Sequence, residues 1–167
     1  MNSELQVQVR PMQFSDLKAL TSIDQEIRAS GTRVFYKDFA TRTILRLNPE
    51  GAPTTERPDI QAVARLIDLS FVAECGGTIC GFILGRQEYL AESDIQQGEI
   101  ALIAVRPHYY GKGIATKLVD AICELFRSRG INRVGMAVDP SDKSMLALME
   151  RYGFKSNRLL NYHKTLG

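Results

Sequence analysis

The sequence predicts an α/β fold in which a mixed, mostly antiparallel sheet is flanked by helices. Three observations carry this. Leu5, Val7 and Val9 alternate with Gln6 and Gln8, which is a strand period. Gly76-Gly77 separates two apolar runs and marks a tight hairpin. The apolar run Glu99 to Val105 leads through a short turn into a strongly amphipathic helix and then a further strand, a strand–helix–strand unit.

The elements follow in order. Pro11 ends the first strand, and Ser15 before Asp16-Leu17-Lys18 reads as a helix N-cap with an acidic first turn. Leu17, Leu20, Ile23 and Ile27 recur near helical spacing until about Ser30, and Gly31 breaks the pattern. Val34 to Leu47 reads as a second helical segment. Asn48 to Pro58 holds Pro49, Gly51, Pro53 and Pro58 and is expected to be a loop. Leu66 to Cys75 reads as a strand, with Ile60 to Ile67 open to a helical reading. The return strand runs from Thr78 to about Tyr89, and the mostly polar Leu90 to Gly98 makes a turn. Pro107 stops the strand Glu99–Val105. In Gly113 to Arg129, Ile114, Ala115, Leu118, Ala121, Ile122, Leu125 and Phe126 share one face while Lys117, Asp120, Glu124 and Arg127 take the other. Gly130 is the natural C-cap. Arg133 to Val138 is a strand, Asp139-Pro140-Ser141-Asp142 opens a helix that Gly153 ends, and Phe154 to Lys164 is extended. The order is β-α-α-β-β-β-α-β-α-β, read as one domain over residues 1–167.

Composition narrows the function. With 167 residues, 44% hydrophobic and 24% charged, the chain suits one globular domain that needs no metal or disulfide to hold its core. A formal net charge of +2, spread without a basic run, argues against a nucleic-acid partner. Cys75, Cys80 and Cys123 are odd in number and form no Cys-x-x-Cys pair, so neither a zinc site nor a disulfide framework is expected, and the three read as small buried hydrophobes. Met1-Asn2-Ser3-Glu4 opens no apolar leader, and no run approaches 18 apolar residues. The expectation is a cytoplasmic protein without a membrane partner.

The chemistry concentrates in Val105-Arg106-Pro107-His108-Tyr109-Tyr110-Gly111-Lys112-Gly113-Ile114-Ala115. Here a buried-type strand turns into a helix, with Lys112 between two glycines. Glycines let backbone N–H groups converge on one concavity, and a helix N-terminus adds about half a positive charge, so the segment reads as an anion site. Its spacing fits neither the dinucleotide Gly-x-Gly-x-x-Gly nor the P-loop pattern. A Gly-x-Gly turn alone is also compatible with an ordinary tight turn.

The whole stretch resembles the pyrophosphate loop of the GNAT superfamily of N-acetyltransferases, whose pattern of Arg or Gln, two residues, Gly, one residue, then Gly or Ala falls on Tyr110, Gly113 and Ala115. Tyrosine at 110 departs from the pattern. Val9-Arg10-Pro11 with Ser15-Asp16-Leu17 looks like the family's first strand and helix, Gly81-Phe82-Ile83-Leu84-Gly85 like its third strand, and Tyr152-Gly153-Phe154 like the Gly-Phe after its last helix. The resemblance implies six to seven strands flanked by about four helices, acetyl-CoA as co-substrate without a metal, transfer to an amine acceptor, and a homodimer through edge strands.

By the same resemblance, acetyl-CoA is held by Ile103, Ala104 and Val105 and by Tyr110, Gly111, Lys112, Gly113, Ile114 and Ala115. The Ile103 N–H faces the acetyl carbonyl and the Val105 backbone pairs with pantetheine. Glu99 matches a glutamate that several members use as general base; burial would make it a better one. The other reading of Glu99 is a solvated strand end beside Gln96-Gln97-Gly98. The family's general-acid tyrosine on the last helix falls on Met149, which donates no proton, and Tyr152, one turn on, is the substitute candidate against plain helix-end packing. Asp142 replaces the usual asparagine and is free to act as an N-cap. An α-amino group, with a pKa of about 7.7–8.0 against about 10.4 for lysine, suits a site so thinly equipped. Val34-Phe35-Tyr36-Lys37-Asp38-Phe39 and Asn161-Tyr162-His163-Lys164 look like acceptor segments of protein N-terminal acetyltransferases, which makes Tyr36 and Tyr162 substrate-binding candidates; aromatic packing is the alternative. His108 and His163 read as surface residues. Two functions compete: an active N-acetyltransferase for a peptide or small amine, and a catalytically silent CoA-binding partner module.

Overall fold

A computed structural model describes residues 6–31, 60–89 and 96–156. The expected helix 34–47, the loop 48–58, Tyr36, Tyr162 and most of the final extended segment lie outside the described residues. The chain divides into two compact units, Met1–Ala137 and Val138–Gly167.

The first unit carries one sheet of β1 (Val7–Pro11), β2 (Phe71–Cys75), β3 (Thr78–Tyr89), β4 (Gln96–Val105) and β5 (Val134–Met136), in that spatial order. Its α-helices among the described residues are α1 (Leu17–Ala29), α2 (Ile60–Asp68) and α3 (Ile114–Ser128). Neighbours from β1 to β4 are antiparallel, whereas β4 and β5 are parallel. A parallel pair needs a crossover, and α3 supplies it. The mixed α/β architecture is as expected, but five strands replace the expected six to seven among the described residues; Phe154–Ser156 are not extended into a strand.

Several boundaries move, among them the expected strand Arg133–Val138, which covers only Val134–Met136. The helical option for 60–67 wins and extends to Asp68, because Val63, Leu66 and Ile67 at three- and four-residue spacing are all buried on one stripe. The strand therefore begins at Phe71 rather than Leu66. Gln96, Gln97 and Gly98 are no turn: they pair with Tyr89, Glu88 and Gln87 as the start of β4, since a ladder is built from backbone groups and accepts polar side chains. Ser15 is not the N-cap of α1; a short 3₁₀ turn spans Phe14–Asp16 and Asp16 stands at the cap position.

The sheet buries both faces. Met12, Leu20, Ile23 and Ile27 with Val63, Leu66 and Ile67 cover Val72, Phe82, Leu84, Leu102 and Ala104 on one face. On the other, α3 turns Ile114, Leu118, Val119, Ile122 and Phe126 inward. The approach of α3 is close at Gly85, where an added Cβ would lie 2.4 Å from the Leu69 carbonyl and 2.6 Å from Ile122. Gly85 also reaches past the end of β2, and its amide donates instead to the buried Ser70 hydroxyl at 3.2 Å, which in turn donates to the Leu66 carbonyl. An amide left unpaired there would cost about 1–3 kcal/mol.

The cysteine expectation is corrected at the β2–β3 hairpin: Cys75 and Cys80 are joined by a disulfide with their Cα atoms 6.0 Å apart. The physical reason is register. Gly81 opposes Ala73 and Ile79 opposes Glu74, so Cys80 is the extra residue of a bulge that brings it diagonally beside Cys75. Cys123, half-buried on α3, stays a thiol whose pKa burial pushes up.

In the second unit, α4 (Lys143–Arg151) begins where Asp142 accepts the Met145 amide at 2.9 Å, so Asp142 is an N-cap. Leu148 and Met149 are buried. Phe154 N–H returns to the Met149 carbonyl at 3.0 Å and closes the helix end at Gly153.

β1 is tied to α1 by charge. Arg10 donates to both Asp16 carboxylate oxygens, at 2.8 and 2.9 Å, and to Glu74 at 2.7 Å. Burial opposes the Asp16 charge, but the Arg10 guanidinium and the Gln13 amide together hold its carboxyl below the usual carboxylate range. A depressed folded-state pKa stabilises fully above the unfolded value of about 3.9 and is lost as pH falls through the folded value. Asp16→Asn should thus lower stability near neutral pH by about 1–3 kcal/mol and flatten the acid limb of stability against pH, as measured by urea melts from pH 7 to 3.

Candidate active site at the open edge of β4

Among the described residues, β4 has two neighbours at Gly98–Ile100 and one beyond Ile100. β5 lies beside Gly98, Glu99 and Ile100 only. Beyond Ile100, no strand among the described residues continues beside Ala101–Val105 on that side. A bulge sits at the divergence: Leu84 opposes Leu102 while Gly85 opposes Ile100, so Ala101 is the extra residue. The Arg106 amide donates to the Cys80 carbonyl at 2.8 Å and fixes the alternation. Leu102, Ala104 and Arg106 therefore turn their backbone groups to β3, and Ile103 and Val105 turn theirs to the open side. The side chains of Ile103, Ala104 and Val105 are buried all the same. Core packing and an outward-facing backbone coexist on one strand.

β4 runs directly into the glycine turn. Pro107–Tyr109 forms a 3₁₀ turn, with Tyr109 N–H to the Arg106 carbonyl at 2.9 Å and Tyr110 N–H to the Pro107 carbonyl at 3.1 Å. Gly111 and Gly113 take φ of +74° and +73°, a left-handed conformation that side-chain-bearing residues rarely adopt. The first α-helical bond of α3 is Lys117 N–H to Gly113 O, so the amides of Gly111 to Ala115 donate to no carbonyl among the described residues. Ile114 is fully buried against Gly81, whereas Tyr110, Gly111, Lys112 and Gly113 are exposed. Lys112 Nζ lies 5.3 Å from the centre of the Tyr109 ring. Amides without a carbonyl partner among the described residues, a helix N-terminus and a lysine are together the kinds of group that suit a phosphate anion.

Glu99 is not a solvated strand end. It is 3% exposed and sits opposite Arg86 across the β3–β4 ladder. The Arg86 guanidinium donates through Nε at 2.7 Å and through a second nitrogen to the same oxygen, Oε2. Ile103, Ala104, Val105 and Gly111 to Ala115 are thus brought together around the end of β4 and the start of α3, and Glu99 lies earlier on the same strand. Tyr152, half-buried at the C-cap of α4, and the buried Met149 belong to the second unit. Arg86 and Arg106 are prominent here and escape sequence reasoning; the only trace of Arg86 is a charge alternating with apolar residues in a strand. Among the described residues no three His, Cys, Asp or Glu side chains cluster so as to hold a metal ion, and no helix is long and apolar enough to cross a membrane.

A model of the acetyltransferase (GNAT) family matches residues 36–154, well over half of the chain. The chain belongs to the GNAT family. N-alpha-acetyltransferase 30 of Schizosaccharomyces pombe is 29% identical over 97 residues, which cover 58% of this GNAT chain and 64% of that protein's length. A ribosomal-protein-alanine N-acetyltransferase from Brucella melitensis superposes with a TM-score of 0.66 at 16% identity, covering 97% of this chain and 100% of that one. The aminoglycoside N-acetyltransferase AAC(6')-Iy in complex with CoA superposes with a TM-score of 0.64 at 15% identity over 99% of each chain. At such identities the superpositions establish the GNAT fold. Removing Arg86 should expose the cost of burying Glu99: Arg86→Leu is expected to destabilise by about 2–3 kcal/mol in urea melts at pH 7.

Proposed function

We propose that this chain transfers the acetyl group of acetyl-CoA to a primary amine in one ternary complex, and that the acceptor is a protein or peptide N-terminal amine. The observation that carries the reading is the open edge of β4 leading without interruption into the glycine turn. An extended strand with backbone groups turned outward suits the amide-bearing pantetheine arm, and the turn suits a pyrophosphate. The resemblance to N-alpha-acetyltransferase 30 supports the peptide acceptor. Residues 1–167 are read as one domain, because the family match crosses the boundary at Ala137.

Acetyl-CoA brings an acetyl thioester, at which an uncharged amine forms the new C–N bond as the C–S bond breaks. In this reading the Ile103 N–H steadies the carbonyl oxygen, a contribution of a few kcal/mol for one positioned backbone donor. Val105 aligns the arm, and the amides of Gly111 to Ala115, with Tyr110 at the entrance and Lys112 above, hold the phosphates. Glu99 accepts the amine proton directly or through water. Its bond to Arg86 keeps the carboxylate oriented. Tyr36 and Tyr162 are assigned to the acceptor backbone, and Tyr152 to the leaving thiolate as proton donor. The buried Met149, standing where the family's acid tyrosine falls, favours a second reading, a silent CoA-binding module.

The deciding experiment is thiol release from acetyl-CoA against aminoglycosides, polyamines, amino acids and peptides with free or blocked N-termini. Release with free-amine peptides alone supports the first reading; binding of acetyl-CoA without release from any amine supports the second. Gly113→Glu places bulk and negative charge where the pyrophosphate would sit, at a position with open space around it but a left-handed φ of +73°, so acetyl-CoA affinity should vanish by calorimetry through the added charge together with strain in the turn. Glu99→Gln should lower kcat about 100-fold, leave the acetyl-CoA Kd unchanged, and remove the acid limb of the pH–rate profile.

A further inference from the structure

The glycine turn is exposed, and added Cβ atoms at Gly111 and Gly113 would find no neighbour within 4 Å. Amides that must converge on an anion need a rigid mount. One mount is apolar, Ile114 buried against Gly81 at the start of α3. The other is Arg106, the last residue before the turn.

Arg106 makes bonds in four directions. Its amide donates to the Cys80 carbonyl at 2.8 Å as the last rung of the β3–β4 ladder. Its carbonyl accepts the Tyr109 amide at 2.9 Å and starts the 3₁₀ turn. Its Nε donates to the Ile79 carbonyl at 2.8 Å, capping the next carbonyl of β3. Its Nη1 reaches α1, to the Ser22 hydroxyl at 3.4 Å and to the Glu26 carboxylate. The side chain is only 16% exposed, although it lies beside a solvent-facing turn. A planar guanidinium with donors in a fixed fork can bridge a strand carbonyl and a helix carboxylate at once; a lysine has a single ammonium for both.

We propose that Arg106 is a positioning residue for acetyl-CoA: it locks the root of the glycine turn to β3 and α1 and so sets where the phosphate-binding amides point. It touches neither the acetyl group nor the acceptor. The proposal rests on the function proposed above, and a ligand comparison separates the two. Acetyl-pantetheine lacks the pyrophosphate and does not use the turn, so a positioning defect must weaken acetyl-CoA and spare acetyl-pantetheine.

The test measures KM and kcat for both donors, and the acetyl-CoA Kd by calorimetry, for wild type, Arg106→Ala, Arg106→Lys and Glu26→Gln. Arg106→Ala is expected to raise the acetyl-CoA KM and Kd about tenfold or more, leaving acetyl-pantetheine KM, acceptor KM and kcat within about twofold. Arg106→Lys should recover part of the loss. Glu26→Gln, on an exposed side of α1, keeps the fold if Arg106→Ala does not, and should show the same selective loss at a few-fold. Equal loss with both donors, or none with either in the two Arg106 variants and Glu26→Gln, overturns the positioning role. Wild type that binds no acetyl-CoA overturns the underlying function instead.

Discussion

A backbone N–H or C=O shut away from water must find a partner, and a strand that loses its neighbour partway carries that obligation along the rest of its length. β4 is such a strand. β5 accompanies it for Gly98, Glu99 and Ile100 and then stops at Met136. The bulge at Ala101 bends β4 and resets which backbone groups face β3. Every other feature of the site depends on this divergence. It creates the edge on which Ile103 and Val105 present their backbones, and it delivers the chain to the turn that begins α3. The side chains meanwhile stay in the core, so the edge is held rigid by hydrophobic packing on both faces of the sheet.

Polar clamps hold the margins of this arrangement. Arg10 binds Asp16 and Glu74 at one end of the sheet, Arg86 binds Glu99 on β4, and Arg106 binds β3 and α1 at the turn. In each case an arginine on a strand, or directly after one at Arg106, meets a carboxylate from another element, and the guanidinium makes at least two bonds. Such pairs add little net stability when exposed. Asp16 and Glu99 are almost wholly buried and Arg106 mostly so, whereas Arg10 and Glu74 are half-buried, so the effect of these clamps is mainly on which geometry is adopted.

What the sequence made legible follows from locality. The hairpin at Gly76-Gly77, the amphipathic face of α3, the Asp142 cap and the glycine turn each depend on residues a few positions apart, and each stands where periodicity and turn chemistry put it. The sequence leaves the burial of Glu99 open because its environment is decided by Arg86, thirteen positions away, through a register that the bulge at Ala101 alters. It places the start of β4 too late for a related reason: Gln96 and Gln97 are polar, and only the presence of β3 alongside makes them a strand. Cys75 and Cys80 read as unpaired thiols because the bulge that brings them together leaves no mark on composition. The acceptor candidates Tyr36 and Tyr162 fall outside the described residues, so that part of the site rests on resemblance alone.

The tight seat of α3 on the sheet has a mechanical consequence. At Gly85 and again at Gly98 the absence of a side chain lets Ile122 and Phe126 come down onto the backbone. Phe126 and Ile114 are twelve residues apart, about 18 Å along the helix axis, and Ile114 is seated in turn against Gly81, so contacts at both ends fix the direction of α3 on the sheet. A tilt of roughly three degrees about the contacts at Gly85 and Gly98 would correspond to about 1 Å at Ile114, a displacement its close contact with Gly81 resists. The direction in which α3 leaves the glycine turn is therefore set in part by two small residues at the opposite end of the helix.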